Sequence, residues 1–156
     1  MKTPLTFGEA SAIVNCGPDA PFLRELREGG ENELRLTIRC ARTAPEVPPE
    51  TTDRPSLDRI LRRCTPILPD PAREMEIVFP DYLLYQVRNE SFCSFDPSEV
   101  RQGRYLCIFQ RSKLLEHLTA VTDSALLPAP WTHYGIFTQN QIIDVISQTE
   151  PQVFGE

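Results

Sequence analysis

Apolar and polar residues alternate in several short stretches of this chain, which is typical of strands that bury one face. In residues 34–40 every second residue is apolar, and arginine or threonine stands between. The same period continues over residues 75–79 and, after a break at Pro80-Asp81, over residues 82–87. Residues 105–109 are apolar throughout and predict a central strand buried on both faces, with Tyr105, Cys107 and Phe109 pointing into the core.

Near the C-terminus the pattern predicts a hairpin. The runs His133–Thr138 and Gln141–Ser147 are strand-like, and Gln139-Asn140 separates them. Asparagine tolerates the positive φ that a two-residue turn requires. With this turn Thr138 opposes Gln141 and His133 opposes Ile146.

Four further segments give weaker predictions. Residues 6–16 favour a first strand, and Pro21 to Gly30 favours a short helix that ends at the two glycines. Ser112 is suited to cap a helix whose leucines share one face. Residues 92–95 either extend the preceding strand or begin another.

Proline is unusually frequent, with fifteen prolines against seven glycines, and this argues against a helical bundle. Seven prolines fall between Pro45 and Pro71, so we expect no central strand there. Within this stretch Leu57, Ile60, Leu61 and Cys64 have helical spacing, and Ser56 is a suitable cap; an irregular arm is the alternative.

Together these elements predict an α+β fold, mainly an antiparallel β-sheet (a sandwich or partial barrel) with two or three short helices. The length of 156 residues fits a single domain, residues 1–156, with a proline-rich irregular segment at about 42–73.

The formal net charge of −6 disfavours nucleic acid as a partner. The N-terminus lacks an apolar signal segment and no apolar run is long enough for a membrane span, so we expect a cytoplasmic protein with no membrane association. The five cysteines are at least 14 positions apart, and we expect reduced thiols rather than disulfides.

Motifs for cofactors and metals are missing from the sequence. It contains no phosphate-binding glycine loop, no H-E-x-x-H and no G-x-S-x-G, and only two histidines. We therefore expect no cofactor and no metal site.

Two polar clusters are candidate sites. Asn89-Glu90-Ser91 follows an apolar strand, and Glu90 there could serve as a general base or an anion-binding group. The favoured interpretation is the polar end of a strand that begins its turn.

The second cluster is His133-Tyr134 with Asn140 and Asp144. The hairpin register makes His133 and Asp144 diagonal neighbours on one face. Such a pair orients the imidazole in many catalytic sites, but a structural hydrogen bond of a half-buried histidine is the favoured interpretation. No single serine or cysteine stands out as a nucleophile.

The segment Tyr85–Ser91, Gly103 before an aromatic strand, the helix led by Ser112, His133-Tyr134-x-Ile136, Asn140 and Ile143–Ser147 resemble a family of small bacterial proteins, a domain of unknown function, over residues 75–151. The resemblance implies a bacterial origin and a recurring scaffold. It implies no catalytic role.

We expect a non-enzymatic bacterial domain that binds another protein, in a more specific form an immunity-type protein that neutralises a basic toxin. Its binding residues would be Asn89, Glu90, Ser91, His133, Tyr134 and Asn140. The alternative is a small hydrolase or transferase with His133, Asp144 and Glu90 as catalytic residues. The sequence does not define an oligomeric state.

Overall fold

The computed structural model describes residues 2–123 and 125–155, and over these residues the chain forms ten strands and three helices. The strands are β1 (Thr3–Leu5), β2 (Phe22–Glu28), β3 (Leu34–Thr43), β4 (Ile67–Phe79), β5 (Tyr82–Asn89), β6 (Val100–Gln102), β7 (Leu106–Arg111), β8 (Thr132–Phe137), β9 (Gln141–Ser147) and β10 (Gln152–Gly155). The helices are α1 (Phe7–Asn15), α2 (Pro55–Leu61) and α3 (Lys113–Val121), with a 3₁₀ turn at Glu90–Phe92.

The strands form two open antiparallel sheets of five strands each. The first sheet has the order β1-β10-β4-β3-β2, and the second has the order β5-β9-β8-β7-β6. The expected α+β class with mainly antiparallel sheet is confirmed, and its sandwich form is the one observed.

The core lies between the two sheets. Phe79 of the first sheet and Tyr134 of the second meet edge to face at 5.4 Å, and Phe7 of α1 meets Tyr134 at 4.9 Å. Helix α1 closes one side of the sandwich, where Asn15 Oδ1 accepts the backbone N–H of Tyr105 and Leu106. The second sheet therefore has an inner face toward this core and an outer face away from it.

Residues 6–16 do not form the expected strand, because α1 occupies nearly all of this segment. Thr6 caps the helix by accepting the N–H of Glu9 at 3.1 Å, while the Glu9 carboxylate accepts the N–H of Thr6 at 2.8 Å. This reciprocal pair is a capping box, and threonine followed three positions later by glutamate signals it in the sequence.

The helix expected from Pro21 to Gly30 is also wrong, since this segment is strand β2. A β-bulge lies between Leu23 and Glu25, so that Leu23 opposes Ile38 and Leu26 opposes Leu36. The extra residue puts Leu23 and Leu26 on the same face although they are three apart. Apolar residues three positions apart are also typical of a helix, and this explains the wrong prediction.

The proline-rich segment forms an arm, residues 44–66, between the ends of β3 and β4. The expected helix is present as α2, but Arg54 rather than Ser56 is its cap, and it buries none of its residues. Pro69 and Pro71 lie within β4, which is the central strand of its sheet. They are tolerated because β10 pairs only with Met75–Val78, so this part of β4 has a neighbour on one side only.

Strand β7 differs from its expected position. It is second from the edge of its sheet rather than central. Tyr105, Cys107 and Phe109 are all buried as expected. All three belong to the hydrophobic core; Cys107 and Phe109 lie on the outer face of the second sheet, and Leu106 of the same strand lies between the two sheets. Residues 92–95 form no strand, since they complete the 3₁₀ turn and the loop after it.

Candidate functional site

The predicted hairpin of β8 and β9 has the expected register. His133 opposes Ile146, Gly135 opposes Asp144, and the N–H of Thr138 donates to Gln141 O across the turn. His133 and Asp144 are thus diagonal neighbours on the outer face of the second sheet. The imidazole Nε2 lies 3.0 Å from Asp144 Oδ1, so the predicted pair exists.

Asp144 is the centre of a larger polar cluster. Its side chain is 1% exposed, and its second oxygen, Oδ2, accepts Gln86 Nε2 at 2.9 Å and two nitrogens of Arg88 at 2.9 and 3.0 Å. Gln86 and Arg88 reach it because β5 pairs with β9 and alternate residues of β5 face the same side. Both oxygens of this carboxylate therefore accept hydrogen bonds from protein donors.

The electrostatics favour the ionised form of Asp144. Burial alone would raise the pKa of this carboxyl, but the hydrogen bonds from His133 and Gln86 and the charge of Arg88 outweigh it, so that its pKa lies below the ordinary 3.8. An ionised carboxylate has no proton to donate. The imidazole Nε2 must therefore carry a hydrogen and donate it to Asp144.

The other imidazole nitrogen contacts a serine. Ser112 follows β7 and caps α3, and its Oγ accepts the N–H of Leu115 at 3.1 Å while lying 2.7 Å from His133 Nδ1. In the neutral imidazole Nδ1 accepts the hydroxyl hydrogen of Ser112. The ring of Phe109 stacks on His133 at 4.1 Å and 8°, which holds the imidazole plane in place.

Ser112, His133 and Asp144 thus have the connectivity of a catalytic triad, but their surroundings are those of a structural network. The three residues are 1%, 2% and 1% exposed. The hydroxyl of a nucleophile must reach a substrate, whereas this one is enclosed and bonded to the first turn of α3. Instead, these hydrogen bonds connect the start of α3 to strands β8, β9 and β5.

A surface cavity of about 350 Å³ lies beside this network. His133 and Asp144 reach its wall, and Ser112 does not. Glu99, which also lines it, accepts the backbone N–H of Lys113 at 3.0 Å. The remaining lining residues are Gln86, Arg88, Phe109, Lys113, Leu114 and His117.

Glu90 does not join His133 and Asp144. It lies four residues beyond Gln86 along the chain, about 13 Å at the rise of a strand, and its N–H donates to Asn140 O at 3.0 Å. The structure therefore brings together two members of the alternative catalytic set and separates the third.

Asn89, Ser91 and Asn140 lie together at the corner where β5 ends beside the β8–β9 turn. Asn89 Oδ1 accepts the N–H of Ser91 at 3.0 Å and so caps the 3₁₀ turn. These three residues, with Val87 and Gln141, line an open concavity of about 500 Å³. Four of the expected binding residues, including Glu90, thus share one exposed corner.

Tyr134 does not belong to either surface. Successive side chains of a strand point to opposite faces, so Tyr134 faces the core while its neighbour His133 faces outward. Its ring packs against Phe7 and Phe79 and is 5% exposed. The expectation that Tyr134 contacts a ligand is not supported by this position.

Sequence reasoning did not assign Gln86 and Arg88 to the site. The sequence pattern indicates them, because they are polar residues two positions apart in a strand that is otherwise mostly apolar. Ser112 was predicted as a helix cap, and nothing in its sequence position placed it beside His133. These three residues complete the network.

Large apolar side chains are exposed at and near the corner formed by Asn89, Ser91 and Asn140. Phe92 is 86% exposed and Val87 is 47% exposed. Phe95 is 65% exposed, although its ring stacks on Phe137 at 6.2 Å with the guanidinium of Arg101 over it at 5.1 Å. Phe92 has the highest exposed fraction of any large apolar residue in the part of the chain that the structure describes.

Within residues 2–123 and 125–155 no three histidine, cysteine, aspartate or glutamate side chains converge as metal ligands. Across the same residues no helix has the length and apolarity to span a membrane. Comparison of the chain with protein-family models, with curated proteins and with solved structures finds no match.

Proposed function

We propose that this protein is a non-enzymatic module that binds another protein through its exposed corner. We call this surface the corner patch: Val87, Asn89, Glu90, Ser91, Phe92 and Asn140. The observation that carries the proposal is the 86% exposure of Phe92. An aromatic side chain gains much from burial at an interface, and aromatic residues are enriched there.

The surroundings of Phe92 fit an interface. Asn89, Ser91 and Asn140 form a polar rim beside the apolar side chains Val87 and Phe92, and protein interfaces combine an apolar centre with such a rim. The loop is held in shape by the Asn89 cap and by the bond from Glu90 N to Asn140 O. A preformed loop loses little conformational entropy on binding.

Charge favours a basic partner. The net charge of −6 would steer a cationic protein toward this one, and Glu90 supplies a carboxylate within the corner patch. The specific form of the proposal is an immunity-type protein of a bacterial cell, which neutralises a basic toxin in the cytoplasm.

Site-specific photo-crosslinking tests the proposal. A benzophenone analogue of phenylalanine replaces Phe92, and in a matched control it replaces Leu126, which is 84% exposed in another loop. We expect one discrete adduct from position 92 in the native cells, with a basic protein as its partner. Unlabelled wild-type protein should suppress the adduct, and the Phe92→Ser protein should not.

Two results would count against this function. Identical adducts from both positions, or none from position 92, would contradict the corner patch as an interface. An acidic partner would contradict the immunity-type form and leave protein binding intact.

The hydrogen-bonded chain Ser112–His133–Asp144 favours a second candidate, a hydrolase with Ser112 as nucleophile and with no role for Glu90. A fluorophosphonate probe reacts with activated serines. For the binding module we expect no labelling of the folded protein. Labelling that is lost in both Ser112→Ala and Asp144→Asn would support the hydrolase.

A further inference from the structure

The arm, residues 44–66, contains the helix α2, which packs only partly on the rest of the chain. No residue of α2 is fully buried: Asp58 and Leu61 are half-buried, and Leu57 and Ile60 are 38% and 60% exposed. A short amphipathic helix gains most of its stability by packing its apolar side against another surface. Among the described residues of its own chain, α2 finds a surface that covers Leu61 in part and leaves Leu57 and Ile60 exposed.

We call residues 54–63, which include α2, the α2 tip. Its charge is opposite to that of the remaining chain. Residues 54–63 contain four arginines and one aspartate and so carry +3, which leaves −9 for the rest. A second copy of this protein therefore attracts the tip electrostatically. A surface that fits the α2 tip has an apolar part for Leu57 and Ile60 and a carboxylate for the arginines.

The edge formed by β1 and β10 provides such a surface. A shallow groove of about 420 Å³ runs along it, and Glu150 is its one charged lining residue among those that the structure describes. The carboxylate of Glu9 bonds to Thr6, another lining residue. Lys2, two residues before Pro4, places its ammonium 3.9 and 3.7 Å from the carboxylates of Glu74 and Glu76. The remaining lining residues are Pro4, Leu5, Pro151, Gln152, Val153 and Phe154.

The arm of one chain cannot occupy the groove of the same chain. The arm joins β4 at Ile67, whereas Gln152 in the groove pairs with Val78. Their partners on β3, Thr43 and Arg35, are eight residues apart, about 26 Å at the rise of a strand. The arm and the groove therefore lie at opposite ends of the first sheet, and contact between them requires two molecules.

We propose that two copies of this protein form a reciprocal dimer, in which the α2 tip of each copy docks in the β1–β10 groove of the other. Leu57 and Ile60 enter the groove, and the arginines of the tip pair with Glu150 and Glu9 of the second copy. A two-fold arrangement uses both tips and both grooves and is closed. This interface is separate from the corner patch.

Sedimentation velocity over a range of protein and salt concentrations tests the dimer. We expect a concentration-dependent dimer that weakens as salt rises. Leu57→Ser combined with Ile60→Ser should raise the dissociation constant at least about tenfold, since two central apolar contacts are lost. These side chains are exposed in the single chain, so folding should be unchanged. Glu150→Arg should weaken the dimer from the groove side.

Val121→Ser combined with Leu126→Ser is the matched control, since both residues are exposed elsewhere, at 64% and 84%. It should leave the dimer intact. A monomer at every concentration, or a dimer that the Leu57/Ile60 variant does not weaken, would overturn the proposal. A dimer that only Phe92→Ser abolishes would also overturn it and would assign self-association to the corner patch.

Discussion

Replacing Asp144 by asparagine tests whether the buried polar network is structural. The substitution preserves the size of the side chain but exchanges one acceptor oxygen for an NH₂ group. In the native protein Oδ1 accepts from His133 and Oδ2 accepts from Gln86 and Arg88. An asparagine can direct its oxygen to only one of these sides, so its NH₂ group meets a donor on the other.

Each orientation of the asparagine loses a hydrogen bond. With the oxygen toward Gln86, the NH₂ faces His133, and the imidazole can accept only by moving its hydrogen to Nδ1. The hydroxyl hydrogen of Ser112 then has no acceptor in the network. With the oxygen toward His133, the NH₂ faces Gln86 and Arg88, so that Arg88 loses its acceptor and the amide of Gln86 must rotate to accept through its own oxygen. A hydrogen bond to a buried charged acceptor contributes about 1.5–3 kcal/mol, and a donor left unsatisfied costs about 1–3 kcal/mol.

The ion pair with Arg88 adds little, because its side chain is 40% exposed and can be rehydrated. We therefore expect Asp144→Asn to lower the free energy of unfolding by about 1–3 kcal/mol. For a protein of this size that corresponds to a fall of roughly 5 °C in the melting temperature.

Urea unfolding at neutral pH measures this difference, and Asp53→Asn is the control. Asp53 is an exposed aspartate, so its replacement should change the free energy of unfolding by less than about 0.5 kcal/mol. An unchanged unfolding curve for Asp144→Asn would refute the structural assignment of the network. It would favour instead a poised catalytic pair beside the cavity.

The pH dependence supplies a second measurement. The pKa of Asp144 is lower in the folded protein than the ordinary 3.8, so its carboxylate stabilises the fold above that pH and the stabilisation is lost as pH falls through the folded value. The asparagine variant lacks this contribution. The difference in the free energy of unfolding between the two proteins should therefore become smaller below about pH 4. A difference that stays constant would contradict a lowered pKa of Asp144 in the folded protein.

Three further predictions concern the same side of the second sheet and the thiols. Phe109→Ala should cost about 3–5 kcal/mol in urea unfolding because the ring is buried against His133; a cost below about 1 kcal/mol would contradict this packing. Gly135→Ala should cost about 1–3 kcal/mol by overpacking, since its Cβ would lie 2.8 Å from Cys107 Sγ, and unaltered stability would show that the site can expand. Five free thiols should be counted after denaturation without reductant. In the folded protein the exposed thiols should react with a thiol reagent long before the buried ones. The reason is that burial raises the pKa of the buried thiols, to about 12 for Cys107. The exposed thiols are Cys16 and Cys64, and the buried ones are Cys40 and Cys107. Fewer than five thiols, or equal rates, would contradict the assignment.

The sequence alone determined those features that depend on neighbours along the chain. The register of the β8–β9 hairpin follows from its two-residue turn, and this placed His133 beside Asp144 correctly. The cap of α3 by Ser112 and the strand from Leu34 onward were likewise local and correct. Period and turn chemistry act over a few residues, so a single sequence contains enough information to predict them.

The sequence did not predict features that depend on which strands meet. The bulge in β2 gave Leu23 and Leu26 the spacing of a helix, and pairing with β3 overrode that spacing. The prolines of β4 suggested an irregular segment, yet β4 is the central strand of its sheet. The prolines are tolerated because the end of β4 that contains them has a neighbouring strand on one side only.

The network at Asp144 was decided by tertiary structure in the same way. Gln86 is 58 positions from Asp144 along the chain, and Ser112 is 21 positions from His133. Their contacts form only because β5 pairs with β9 and because α3 begins beside β8. Residue types and local spacing predict which side chains can form hydrogen bonds, whereas the partners of a buried polar group are fixed by the order of strands in the sheet.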